Sequence, residues 1–116
     1  MILYLDGSAL VKRYIAEPGT SEVAMAIAEA EIVGTSTISR AETAAALARA
    51  IREGALTYEA ASLALQAFRN EWPNLVRVQA TRMLITRAEA LAWELGLRGY
   101  DAVHLASALL WKNGMG

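Results

Sequence analysis

The stretch ILYLDGSAL, residues 2–10, decides how the rest of the chain is read. Four successive apolar residues with β-branched and aromatic content describe a buried strand inside a parallel sheet rather than one alternating between core and water. The run ends on a carboxylate, Asp6. Gly7 and the segment SALVKRYIAE follow, where Ala9, Leu10 and Tyr14 fall near helical spacing until Pro18-Gly19 stops them. An aspartate between a strand and a helix has two readings. It caps the helix by accepting backbone N–H groups, or it presents its charge at the carboxyl edge of a parallel sheet, where ligands bind.

Working outward, Thr20-Ser21 is placed to cap a second helix through Val23, Met25, Ala26 and Ala30, and residues 31–35 read as a second short strand. SRAETAAALARAIREG, residues 39–54, is rich in helix formers, opens on a Ser39-x-x-Glu42 capping box and closes on Gly54. Thr57 caps a further helix that Trp72-Pro73 stops, and Leu75, Val76 and Val78 mark a third strand. Residues 82–95 form a helix with Leu84, Ile85, Ala88, Leu91, Ala92 and Leu95 inward, ended by Gly96. A last helix runs from about Tyr100 to Trp111, with Gly114 placed just past its end. This order predicts one α/β domain over residues 1–116, its helices layered on a mainly parallel sheet. A purely helical array is the alternative.

The totals narrow the function. A chain of 116 residues that is 55% hydrophobic and 20% charged has the composition of one domain with a real core. The longest run free of Asp, Glu, Lys and Arg, Ala102 to Trp111, is far short of the roughly 18 apolar residues a membrane helix needs. Asp6 interrupts the apolar start that a secretory leader requires, so the expected location is the cytoplasm. The absence of cysteine excludes disulfides, thiolate zinc sites and cysteine nucleophiles. A single histidine, His104, excludes a histidine-rich metal site within one chain. Any metal must be held by oxygen. Eleven basic and twelve acidic residues give a net charge of −1, so the molecule as a whole is no electrostatic trap for nucleic acid. An enzyme acting on nucleic acid is still allowed, because a divalent cation brings positive charge to the phosphate locally.

Three carboxylates stand out by position. Asp6 can be an N-cap, Glu42 completes the Ser39 capping box, and Asp101 sits in the first turn of the last helix, where a negative charge suits the helix dipole. Helices that follow parallel strands begin at the carboxyl edge of the sheet. If the three acids meet there they repel one another unless a cation sits between them, and Mg²⁺ or Mn²⁺ is the hard ion such donors suit. His104, three residues after Asp101, reads as a packed histidine bonded to a neighbour rather than as a general base. Trp72, Trp93 and Trp111 read as core.

LYLDGSALVKRY at the start, SRAE opening the central helix and GYDAVHLASAL opening the last one resemble PIN-domain proteins, particularly the VapC-type ribonuclease toxins of bacterial and archaeal toxin–antitoxin pairs. The resemblance covers nearly the whole chain and rests on three motifs in order at matching intervals. It implies a PIN-like three-layer α/β/α sandwich whose strands here stand in the order 3-2-1. It also implies a metal-dependent endoribonuclease, the toxin component of a type II toxin–antitoxin system. In that chemistry Asp6 and Asp101 hold Mg²⁺ or Mn²⁺, Glu42 is a third ligand or holds a metal-bound water, and Ser8 orients water or substrate. The implied partners are an RNA substrate, a cognate antitoxin protein and a second copy of the chain, docked on apolar positions of the helices between Ser39 and Ala67. Arg40, close to Glu42, is then a candidate for the RNA backbone, while Lys12, Arg13, Arg49 and Arg52 read as ordinary solvated helix faces.

The family pattern continues past the last helix into a fourth strand with another aspartate, then a further helix and often a fifth strand. The expectation is therefore a single PIN-like domain, residues 1–116, C-terminally incomplete relative to the family and missing its strands 4 and 5. The missing fourth acid supports a rival reading, a catalytically impaired PIN-fold module that binds RNA or protein. A third reading is a helical interaction domain whose acids are only caps, for which Asp101→Asn alters stability but no metal affinity.

Overall fold

Alternation along β1 (Ile2–Tyr4) decides which layer each residue joins. Leu3 and Leu5 turn into a cluster with Leu10, Phe68 and Trp72. Tyr4 turns the other way, with ring centroids 5.9 Å from His104 and 6.4 Å from Trp111. The computed structural model describes residues 1–115. β1 leads into α1 (Gly7–Leu10), a 3-10 turn over Val11–Arg13, and α2 (Thr20–Glu29). β2 (Ile32–Ser36) is followed by α3 (Ser39–Arg52), α4 (Tyr58–Glu71) and a 3-10 turn over Trp72–Asn74. β3 (Val76–Val78), α5 (Arg82–Leu95) and α6 (Gly99–Met115) complete the order.

The sheet runs β1-β2-β3 with both pairs parallel, Ile2 beside Ile32 and Tyr4 beside Gly34, then Gly34 beside Val76 and Ser36 beside Val78. This is the expected 3-2-1 order, and it rules out the purely helical array. Among the described residues β1 is an edge rather than a central strand, which leaves Ile2 36% exposed; full burial starts only at Leu5. One face of the sheet is covered around Phe68 by α1, α2 and α4, with Leu3, Val23, Ile27, Val33, Leu65 and Leu75 packed against the cluster. The other face takes α6, whose Trp111 lies so close to Gly34 that a Cβ there would sit 2.7 Å from the indole ring. α5 packs on α6 through Leu84, Ala88, Ala102 and Ala106, the three alanines being small enough to let the two helices approach closely. The result is helix, sheet, helix in three layers.

Several ends fall where expected, at the Thr57 cap, at residue 82 and at Gly96, and the structure adds Thr81 as the cap of α5. Thr57 and Thr81 cap α4 and α5 by accepting the N–H groups of Ala60 and Leu84, and Gly96, at φ +68°, terminates α5 in the left-handed region. Others differ. Gly19 rather than Thr20-Ser21 is the N-cap of α2, because the Thr20 hydroxyl donates to the Ile15 carbonyl and accepts from the Glu17 N–H. α6 runs through Gly114 to Met115 instead of ending near Trp111. Trp72 and Trp111 are buried, but Trp93 is 89% exposed, and Ile85 and Leu95 are exposed as well, because the buried stripe of α5 is only as wide as its contact with α6 and Val78. Among the described residues no helix is long and apolar enough to cross a membrane.

Candidate active site

Buried hydroxyls pin the carboxyl edge of the sheet. The Thr35 hydroxyl donates to the Leu5 carbonyl at 2.6 Å and lies 2.7 Å from the Ser39 hydroxyl, with Thr35 and Ser39 fully buried. Having spent its proton on Leu5, Thr35 accepts from Ser39. The end of β1, the body of β2 and the first turn of α3 are thereby tied together. This tie is also why the expected capping box does not form. The N-cap of α3 is Ile38, whose N–H is taken by the Ser36 hydroxyl at 3.3 Å, while Ser39 faces Thr35 and Glu42 reaches across to α6. Tertiary partners have taken both side chains that the local motif would use.

Asp6 caps α1. Its Oδ1 accepts from the Ala9 N–H at 2.9 Å and from the Ser8 hydroxyl, also at 2.9 Å, so both bonds fall on one oxygen. Ser8 itself is exposed. The next residue, Gly7, is where α1 and α3 meet: a Cβ there would lie 2.5 Å from Glu42 Oε1 and 2.8 Å from Glu42 Cβ. Only a residue without a side chain lets Glu42 close on the segment that carries Asp6.

Glu42 is half-buried and its Oε1 lies 2.7 Å from His104 Nε2. On the far side of the imidazole, Nδ1 is 2.8 Å from the Tyr4 hydroxyl. Burial above all, with the negative fields of Asp6 and Glu42 added, pushes the Tyr4 phenol well above its usual range. The phenol keeps its proton; because the Glu42 carboxylate only accepts, the imidazole N–H lies on Nε2, and in the neutral ring the Tyr4 hydroxyl donates to the bare Nδ1. In that tautomer the Gly7 N–H, 3.4 Å from Nε2, is a contact rather than a hydrogen bond.

Asp101 stands in the first turn of α6, one turn before His104. Its Oδ2 accepts from Arg98 Nε at 3.3 Å, and the same guanidinium lies over the Tyr100 ring, 5.1 Å from its centroid. Glu42 thus packs beside the residue that follows Asp6, whereas Asp101 is turned toward Arg98. Among the described residues no three His, Asp or Glu side chains are gathered tightly enough to share an ion. The donors nevertheless suit a hard cation in kind, all being carboxylate oxygens, and the bonds described for Asp6 and Glu42 each occupy a single oxygen. The third carboxylate, Asp101, is engaged in an ion pair with Arg98 that leaves its side chain 39% exposed.

The basic residues near the site are mostly committed elsewhere. Lys12 pairs with Glu17, Arg13 with Glu71 and Arg49 with Glu53, at 2.9, 2.7 and 2.8 Å. Arg40 lays its guanidinium over the Trp72 ring at 5.9 Å from the centroid. Sequence reasoning found His104 as a packed histidine but not its link to Tyr4. The available signal was parity, since Tyr4 lies two positions before Asp6 on an extended segment and so points to the same side of the sheet.

Comparison with known proteins extends the same picture. The sequence model of the PIN domain matches residues 3–112. The chain is 35% identical over 108 residues to Ribonuclease VapC45 of Mycobacterium tuberculosis (strain CDC 1551 / Oshkosh), covering 93% of this chain and 75% of that relative. It has the same identity and coverage with Ribonuclease VapC49 of Mycobacterium tuberculosis (strain ATCC 25618 / H37Rv). A match that runs from β1 into α6, on a parallel sheet whose strand and helix ends carry Asp6, Glu42 and Asp101, places this chain in the PIN domain family.

Proposed function

We propose that the chain is a divalent-cation-dependent endoribonuclease of the toxin type, cleaving RNA phosphodiester bonds in the cytoplasm and restrained by a cognate antitoxin protein. The observation that carries the reading is the close approach of Glu42 to the Asp6 segment across Gly7 at the carboxyl edge of the sheet. The relatives named as ribonucleases support it. In this reading Asp6, Glu42 and Asp101 hold Mg²⁺ or Mn²⁺. The chemistry a divalent cation supplies when bound is polarisation of the phosphate and acidification of the attacking water. The chain's own part is to keep its carboxylates aimed: the Ala9 N–H and Ser8 hydroxyl fix Asp6, and the exposed Ser8 hydroxyl is within reach of water or substrate. Asp101 must leave Arg98, at a cost of about 0–1 kcal/mol for an exposed pair. Tyr58 and Leu63, exposed on α4 at 72% and 73%, support a homodimer contact on the helices between Ser39 and Ala67.

The test is cleavage of a mixed single-stranded RNA pool with Mn²⁺, with Mg²⁺ and with chelator, by the parent chain and by Asp6→Asn and Asp101→Asn proteins purified identically. Cleavage by the parent that either substitution reduces by at least about 100-fold, and that chelator abolishes, is the expected result. Equal cleavage by all three proteins removes these acids as the site. Equal inactivity supports a binding module instead.

A further inference from the structure

One line of hydrogen-bonded groups, centred on a buried imidazole, reaches the acids from outside them. It begins on β1 at the Tyr4 hydroxyl, passes 2.8 Å to Nδ1 of His104 on α6, and continues 2.7 Å from Nε2 to Oε1 of Glu42 on α3. The His104 side chain is only 7% exposed, so water competes poorly for either ring nitrogen. Three elements distant in sequence meet in two short hydrogen bonds. We propose that Tyr4 and His104 are positioning residues for Glu42, fixing one carboxylate oxygen so that the other stays directed toward the segment that carries Asp6. The inference rests on the proposed role of Glu42 as a ligand of a divalent cation or of the water beside it.

With the ring neutral, the chemistry leaves one arrangement. A carboxylate only accepts, so Nε2 must carry the imidazole proton; a neutral ring then has a bare Nδ1, which needs a donor, and the Tyr4 phenol is that donor. The phenol sets the tautomer and the ring plane, and the imidazole sets the carboxylate. Glu42 alone would have three freely rotating side-chain torsions in the first turn of α3. A ligand left to those torsions pays for its own ordering each time the ion binds, and an oriented ligand does not. Gly7 completes the device from the opposite side, since a methyl there would occupy the space that Glu42 fills when it meets His104.

The experiment uses the whole chain and the metal alone. Free Mn²⁺ is measured by electron paramagnetic resonance during titration of the parent, Asp6→Asn, His104→Leu, His104→Gln and Tyr4→Phe, with each fold checked by circular dichroism. Because the chain has one histidine, ¹⁵N correlation spectra of the metal-free protein at about pH 8 report a single imidazole. The expected spectrum has the proton on Nε2 in the parent and loses that preference in Tyr4→Phe. Mn²⁺ affinity is expected to fall about 10- to 100-fold in His104→Leu and less in Tyr4→Phe. It should recover in His104→Gln, whose amide N–H can replace Nε2–H.

An Nδ1–H tautomer in the parent overturns the proposal. So does parent-like Mn²⁺ affinity in Tyr4→Phe and His104→Leu, or a folded His104→Gln no better than a folded His104→Leu. If His104→Leu does not fold, Tyr4→Phe and His104→Gln decide the matter. Parent and Asp6→Asn proteins that bind Mn²⁺ equally, or not at all, instead remove the cation reading beneath the proposal.

Discussion

At Gly7 the absence of a side chain is the functional group. Glu42 Oε1, Cβ and Cδ all stand within 2.8 Å of where a Cβ would be built, and the first two of these atoms cannot both swing clear without moving α3 or breaking the bond to His104. Gly7→Ala is therefore expected to reduce RNA cleavage by at least about 10-fold, within the range for displaced groups that support a metal ligand, and to perturb the His104 imidazole resonance. A Gly7→Ala protein with parent-like cleavage and an unshifted imidazole signal would show that Glu42 has no need of this position. Asp6 illustrates how one residue serves two purposes. Its Oδ1 is committed to the Ala9 N–H, a cap worth about 1 kcal/mol, so Asp6→Ala should lower stability by that order, while Asp6→Asn, which retains an amide oxygen to accept the bond, should lower it less. Urea unfolding of the two variants separates the cap from the charge.

The elements are held at the site by contacts that no helix signal describes. Gly34 on β2 and Trp111 on α6 form one of these, and a Cβ 2.7 Å from a buried indole cannot be relieved by rotating a flexible chain end. Gly34→Ala should cost about 1–3 kcal/mol in urea unfolding, and an unchanged midpoint would mean that α6 is free to shift on the sheet. Thr35 is the second clamp. Thr35→Val keeps the shape but strands the Leu5 carbonyl and the Ser39 hydroxyl, and a loss of about 1–3 kcal/mol is expected. These two clamps also explain why the sequence was readable in some places and not in others. Thr57 and Gly96 act on their own helices, so local pattern located the start of α4 and the end of α5. Ser39 and Glu42 have the spacing of a capping box, yet their side chains are drawn to β2 and α6, partners that spacing along one helix cannot reveal. Trp93 and Leu95 have core chemistry, but their exposure depends on how much of α5 the neighbouring helix covers.

For the molecule as a whole, a layered α/β fold on a mainly parallel sheet followed from the alternation of strands and helices, because short parallel strands need crossovers that lie on a sheet face; the strand order and the three layers came from the resemblance to PIN-domain proteins. The placement of the acids was legible only as far as the carboxyl edge; which neighbour each carboxylate pairs with, Asp101 with Arg98 and Glu42 with His104, is seen only in the folded chain. Global stability has a pH dependence of definite sign. Burial holds the Tyr14 phenol up at about 12 and the Tyr4 phenol higher still than its usual range. The unfolded chain releases these protons near the ordinary phenol value of about 10, so their stabilising contribution is full below that pH and is lost as pH rises toward the folded values. Urea midpoints should fall between about pH 10 and 12, and Tyr14→Phe should flatten part of that slope. The central claim concerns where the cation goes. Anomalous diffraction at the manganese edge from Mn²⁺-soaked crystals tests it most directly. The account predicts a peak at about 2.0–2.3 Å from carboxylate oxygens of Asp6 and Glu42, with Asp101 rotated off Arg98 toward it. A peak elsewhere, or none in protein that cleaves RNA in the same metal, would contradict it.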